Sequence, residues 1–300
     1  MTNKITPHLW FDREAKEAAE LYVSTFSNSR ITSVRTIYNT PSGDCDIVSF
    51  ELCGQPFMAI SAGPPFKFTP AVSFLVACPS KEEVDAIWSK LSEGGSVLME
   101  LDSYPFSERY GWAADRYGLS WQVMYNSEES GQRIVPTLLF VGDVCGKAEE
   151  AVNLYTGVFP DSQVGDIDRY GPGEEPDREG TVRHCTFTLG GQELAAMDSA
   201  HDHKFNFNEA ISLIVNCKDQ AEIDYYWDRL SAVPEAEQCG WLKDRFGVSW
   251  QVVPTAMDEM MEKGTQDQID RVTQAFLQMK KFDIAELEQA YEGSSTPASR

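Results

Sequence analysis

The chain has 300 residues, with 25 basic against 47 acidic side chains and a formal net charge of −22. At 42% hydrophobic and 11% aromatic it is too apolar for a disordered acidic polymer, yet it has no apolar run long enough to span a bilayer. Nucleic-acid affinity rests on Lys and Arg, so this balance excludes a broad phosphate-binding surface, and neither a nucleic acid nor a membrane is expected as partner. Seven cysteines without CxxC spacing, and an N-terminal stretch without the apolar core of a secretory signal, point to a reduced cytoplasmic protein.

In chain order, residues 7–11 form an apolar strand candidate. Ala15, Ala18, Ala19, Tyr22 and Phe26 then recur at helical spacing, one face of a helix. Val48, Phe50 and Leu52 alternate with Ile47, Ser49 and Glu51 at the period of a strand, and Gly54-Gln55 supplies a hairpin turn. A second module follows: a strand over 72–77, and a helix with Val84, Ile87, Trp88 and Leu91 inward and Ser80 and Glu83 at capping spacing. Residues 93–106 read as a loop-rich excursion, and Asp115 starts the turn into a last strand over 119–125. The polar run 126–133 reads as a linker.

The pattern then repeats. Gly111-Trp112, Asp115-Arg116-Tyr117-Gly118 and Ser120-Trp121-Gln122-Val123 recur 129 residues later as Gly240-Trp241, Asp244-Arg245-Phe246-Gly247 and Ser249-Trp250-Gln251-Val252. The first helix returns as Ala148, Ala151, Val152, Tyr155 and Phe159, the alternating strand as Cys185, Phe187 and Leu189, and the second helix as Ile223, Tyr226, Trp227 and Leu230, with Asp219 and Glu222 at its cap. Residues 166–180 form the second half's excursion, and the second half is shorter just before Gly240. Each half thus reads as βαβββ twice, an α+β fold of four modules. From Met257 to about Gly293 the chain reads as helical, with an apolar stripe at Ile269, Val272, Phe276 and Met279 expected to pack on the chain itself, and Asp283 capping a last helix.

The opening strand with Phe11-Asp12, the Ala-rich helix ending in Tyr22 and Phe26, and the Asp-Arg-(Tyr/Phe)-Gly-x-Ser-Trp-Gln close resemble the PhnB-like branch of the vicinal oxygen chelate superfamily, which includes glyoxalase I, extradiol dioxygenases and bleomycin resistance proteins. That branch often bears the label 3-demethylubiquinone-9 3-methyltransferase. The resemblance covers 5–126 and 134–254. It implies two vicinal-oxygen-chelate domains, 1–126 and 134–255, followed by a helical tail, 256–300. Paired βαβββ units would curve around a cavity with helices behind, and the two domains would form an intramolecular pseudo-dimer, with an additional homodimer left open.

The resemblance also implies where a divalent metal would sit: at the start of each module's first strand and on its last strand, usually on His and Glu. Those positions fall here at Pro7, Pro136, Ser73, Ser212, Gln122 and Gln251, with Ala59 and Ala196 near the remaining one. Proline and alanine cannot ligate, and serine and glutamine are weak neutral donors, so a metal is an option but a disfavoured one. Alternation from Pro7 turns His8 to the other face; a shift of one residue would reverse that. His201-Asp202-His203 reads as a solvated loop. There is no glycine-rich strand-to-helix turn for S-adenosyl methionine and no GxSxG, HExxH or P-loop, so no cofactor is assigned.

The cavity candidates for a small-molecule ligand are Ser73, Gln122, Ser212, Gln251 and His184. Glutamine amides offer donors and an acceptor to a polar ligand, and His184 offers an imidazole near neutrality. The leading expectation is a small-molecule-binding protein of this superfamily without the usual His/Glu metal set. The alternatives are a metal-assisted, glyoxalase-like lyase, isomerase or dioxygenase, and an interaction or regulatory protein acting through its acidic surface or C-terminal helices.

Overall fold

The computed structural model describes residues 3–127 and 131–293. The first module runs β1 (Ile5–Phe11), α1 (Ala15–Thr25), β2 (Arg30–Thr40), β3 (Gly43–Leu52) and β4 (Gln55–Ser61). The second runs β5 (Val72–Cys78), α2 (Lys81–Leu91), β6 (Ser96–Tyr104), β7 (Ser107–Ala114) and β8 (Ser120–Tyr125). The third runs β9 (Ile134–Phe140), α3 (Ala148–Val158), β10 (Gln163–Arg169), β11 (Val182–Leu189) and β12 (Gln192–Asp198). The fourth has β13 (Ile211–Cys217), α4 (Gln220–Leu230), β14 (Trp241–Lys243) and β15 (Ser249–Pro254), and α5 (Thr255–Lys263), α6 (Gln266–Phe276) and α7 (Ile284–Glu292) follow. No helix among the described residues is long and apolar enough to cross a membrane.

Two mixed sheets result, and each takes strands from both halves of the chain. Sheet I has the order β14-β15-β13-β1-β4-β3-β2, and sheet II the order β10-β11-β12-β9-β5-β8-β7-β6. The seams are antiparallel: β1 lies against β13 with His8 opposite Ser212, and β5 against β9 with Ser73 opposite Thr137. Modules one and four therefore share a sheet, as do modules two and three, giving an intramolecular pseudo-dimer by exchange of modules. Two glutamines stitch one sheet to the other. The Gln55 side chain bonds both N–H and C=O of Ile134 at 3.0 and 2.9 Å, and Gln192 does the same to Ile5 at 2.7 and 2.8 Å.

Within each half the modules meet instead through their helix-bearing faces. One buried carboxylate organises each meeting. Asp115 Oδ2 accepts from the Tyr22 hydroxyl of α1 at 2.7 Å and from Trp121 Nε1 of β8 at 2.9 Å, while Oδ1 accepts from the backbone N–H groups of Tyr117 and Leu119. Asp244 repeats this with Tyr155 at 2.6 Å, Trp250 at 2.9 Å, and the N–H groups of Phe246 and Val248. Burial pushes both carboxyls above the usual aspartate value, and the four donors pull back toward ionisation. Around them pack Phe26, Phe50, Phe57 and Phe74 in one half, and Phe159, Phe187 and Tyr226 in the other.

The segment 93–106 departs from the loop expectation: it holds β6, an edge strand paired to β7. Likewise β10 occupies the first part of 166–180 and leaves a loop after Arg169. Edge strands bury little, so their apolar signal is faint: Val97, Leu98 and Val164 stand exposed. The fourth module lacks a counterpart of β6, because the stretch from Leu230 to Gly240 is ten residues shorter than that from Leu91 to Gly111. The tail fills this place. Cys239 and Gly240 donate backbone hydrogen bonds to Met279 and Lys280, and the Phe282 ring lies where a Cβ on Gly240 would stand 2.5 Å from it. The expected caps are present: Ser80, Asp219 and Asp283 each accept from the N–H three residues on. Of the linker reading 126–133, residues 128–130 lie outside the described residues.

Replacing Asp244 by Ala leaves a tyrosine hydroxyl, an indole N–H and two backbone N–H groups without their acceptor. Urea unfolding should show a loss of about 3 kcal/mol or more, with Asp115→Ala costing a similar amount. Asp244→Asn keeps one oxygen for the backbone donors and should lose less.

Candidate functional site

The core side of every strand is set by the aromatic and aliphatic packing above, so residues of the opposite parity face away from the helices. On sheet II these include Gln122, Ser73 and Thr137, which are buried at 6%, 1% and 2% exposure. Gln122 is held at both ends: Oε1 accepts from the Tyr110 hydroxyl at 2.7 Å, and Nε2 donates to Ser73 Oγ at 2.6 Å. Trp112 Nε1 donates to Ser120 Oγ at 2.7 Å, and Thr137 Oγ1 bonds Val135 O at 3.3 Å. The row Thr137–Ser73–Ser120, one residue on each of three adjacent strands, is thus internally satisfied.

The matching row of sheet I is His8–Ser212–Ser249. Gln251 Nε2 donates to Ser212 Oγ at 2.8 Å, repeating the first half's pair. Two differences follow from sequence. Position 239 holds Cys where position 110 holds Tyr, so Gln251 lacks the tyrosine donor. His8 stands where sheet II has Thr137, and its ring meets Trp241 edge-on at 5.3 Å; Trp241 also meets Trp10 at 5.9 Å, and Trp10 meets Phe66 at 5.1 Å. His8 Nδ1 and Ser249 Oγ are buried without a hydrogen-bond partner. Burial without a counter-charge lowers the His8 pKa to about 3, so its imidazole is neutral at physiological pH. Beyond Trp10, the same face is covered by the tail, where Met261 and Phe276 pack against the cluster of Ile37, Cys45 and Ala62.

Pro7 and Pro136 share the parity of Ile5, Leu9 and Phe11, and of Ile134, Leu138 and Phe140, so both lie on the core side; Ala59 and Ala196 lie there too. This corrects the register by one residue: His8 and Thr137, not the prolines, occupy the outward positions beside Ser212 and Ser73. The Ile5, Leu9 and Phe11 parity carried the signal. His184 also faces outward, opposite Asp168 on β10, and burial lowers its pKa. It lies four strands from Gln122, roughly 19 Å at the usual strand spacing, so the two do not share a site. His201 and His203 sit in the loop after β12, one 3.6 Å from Asp177 and the other 2.9 Å from Ser199 Oγ.

The donor set does not fit the superfamily's metal. Each row offers at most one imidazole, with serine, threonine and glutamine oxygens beside it, and the Glu209 carboxylate at the end of the sheet I row is already paired with Lys243. Among the described residues no group of three or more His, Cys, Asp or Glu converges. What the floors offer is hydrogen bonding against aromatic walls.

His8 makes stability depend on pH in a definite direction. The folded chain keeps this imidazole neutral down to about pH 3, whereas the unfolded chain protonates it near 6.5. Unfolding therefore takes up a proton between those values, and stability falls with pH by up to about 1.4 kcal/mol per unit from this group. Asp115 and Asp244 contribute with the opposite sign. Urea unfolding at pH 7, 6 and 5 should show a shallower loss toward acid in His8→Phe than in the parent, because both aspartates are common to the two chains.

A family model described as 3-demethylubiquinone-9 3-methyltransferase matches residues 3–124 and again 132–253. Comparison with curated proteins finds no match. Among solved structures, a putative 3-demethylubiquinone-9 3-methyltransferase, PhnB protein, from Bacillus cereus is 40% identical over 41% of this chain and 99% of its own, with a TM-score of 0.39. Glyoxalase I from Zea mays is 10% identical over 86% of this chain and 95% of its own, with a TM-score of 0.53. A putative dioxygenase from Bacillus subtilis is 11% identical over 97% and 96%, with a TM-score of 0.51. At such identities the last two share a fold with this chain.

Proposed function

Since this chain belongs to the family described as 3-demethylubiquinone-9 3-methyltransferase, in two tandem copies, we propose that it binds a small molecule on the outward face of its sheets, without the His/Glu metal set. The observation that carries this reading is the repeated glutamine–serine pair, Gln122 with Ser73 and Gln251 with Ser212. Sheet faces that close on apolar side chains do not need buried amides, and both copies have one at the same register. Such a pair sits in a water-poor setting, where a ligand group that meets the amide's remaining hydrogen-bonding capacity, such as Oε1 of Gln251, gains most. His184 is a separate polar point on sheet II. The seven free thiols suit a reducing cytoplasm.

The methyltransferase description does not transfer as an activity. The two mixed sheets are not the doubly wound sheet with a glycine-rich turn on which a nucleotide-like cofactor is cradled. The fold likeness to glyoxalase I keeps a metal-assisted lyase, isomerase or dioxygenase as the rival. An interaction role through the tail has less support, because Val272, Phe276 and Met279 pack against the chain itself.

Native mass spectrometry of protein purified without added metal, with elemental analysis, separates these readings. We expect no stoichiometric divalent ion, and a retained small molecule that is released on denaturation and depleted in at least one of Gln122→Ala and Gln251→Ala, the affected variant marking the sheet that binds it. A stoichiometric divalent ion would put the metal-assisted reading first.

A further inference from the structure

The two sheet faces are built from the same repeat, yet only one leaves polar atoms unused. On sheet II every member of the row Thr137–Ser73–Ser120 has a partner. On sheet I, His8 Nδ1 and Ser249 Oγ have none, although the two residues are 3% and 2% exposed. The cause is local. Trp112 donates its indole N–H to Ser120, but its counterpart Trp241 stands edge-on to His8 and Trp10, and Ser249 receives no bond. A buried donor or acceptor without a partner costs about 1–3 kcal/mol, so two in one row need a reason.

Resting on the small-molecule reading above, we propose that the outward face of sheet I is the ligand site, and that it takes an uncharged, flat aromatic molecule bearing a hydroxyl, amide or carbonyl group. His8 Nδ1 and Ser249 Oγ bond its polar edge, and Trp10 and Trp241 hold its ring. His8 and Ser249 lie on either side of Ser212, two strand spacings or about 10 Å apart, a span suited to one or two fused rings. The chemistry selects against charge. The nearest basic group in the row, Lys243, is paired with Glu209 at 2.8 Å, and a neutral imidazole offers an anion no compensation for leaving water. Met261 and Phe276 of the tail pack with Trp10 against the Ile37, Cys45 and Ala62 cluster, so α5 and α6 wall this side of the site.

Calorimetric titration of the full chain with 2-naphthol, and with 2-naphthoate as the charged probe, tests this. We expect saturable 2-naphthol binding, at least tenfold weaker 2-naphthoate binding, and at least a tenfold loss of 2-naphthol affinity in both His8→Phe and Ser249→Ala. Ser120→Ala, the matched position on sheet II, should bind as the parent does. Ser249→Ala guards against misfolding as an explanation, because removing an unpartnered hydroxyl should leave the ligand-free protein as stable as the parent or more so. A purely structural Ser249 would instead lower both stability and affinity. Binding lost in Ser120→Ala but kept in Ser249→Ala would place the ligand on sheet II, which overturns this proposal and leaves the small-molecule reading standing. No saturable binding of either probe also overturns it, and a chain that in addition retains no small molecule on purification removes the broader reading. A crystal structure grown with 2-naphthol that shows only ordered water at His8 Nδ1 and Ser249 Oγ overturns the site assignment.

Discussion

The structure depends on a buried aspartate at the turn before each module pair's last strand. Asp115 and Asp244 each tie a helix tyrosine, a strand tryptophan and the turn's own backbone to one carboxylate. That clasp pulls Trp121 and Trp250 into the core, where they are 1% and 0% exposed. A strand alternates its side chains, so anchoring the tryptophan decides the face of the residue after it. Gln122 and Gln251 are outward because the tryptophans are inward, and the candidate sites inherit their geometry from an interaction on the far side of the sheet.

A second constraint is that core and sheet connect different modules. Side-chain packing joins one with two and three with four, while hydrogen-bonded strands join one with four and two with three. Neither face can change without both halves taking part: His8 comes from the first, and Ser212, Ser249 and Trp241 from the second. The ten missing residues before Gly240 belong to the same picture, because their absence leaves an edge that the tail completes through Met279, Lys280 and Phe282.

Much of this was legible in the residues. The helical spacings, the caps at Ser80, Asp219 and Asp283, and the matched tryptophans define the modules without coordinates. The register of β1 rested on the Ile5, Leu9 and Phe11 parity alone, a faint signal for a physical reason: from Ile5 to Leu9 every residue is buried, since helices cover one face and the tail and neighbouring aromatics the other. A strand buried on both sides loses the alternation from which its faces are read. Strand exchange between halves was also hidden, because either pairing satisfies the same hydrophobic pattern. The outward placement of Gln122 and Gln251 needed only their neighbouring tryptophans, whereas the two unpartnered atoms required knowing which way the Trp241 ring turns.

The amide clamps at Gln55 and Gln192 carry a further consequence. Were the halves separate molecules, each such contact would form at a rate and to an extent set by protein concentration. Tethering them replaces that dependence with a fixed effective concentration, and the assembly becomes as complete in dilute solution as in concentrated. Tethering also removes a restriction that identical subunits impose. In a homodimer any substitution appears twice, so a floor with His8 on one sheet would carry it on the other. A single chain escapes that symmetry: one sheet can keep Thr137 and a closed network, while the other exchanges stability for unpartnered polar atoms.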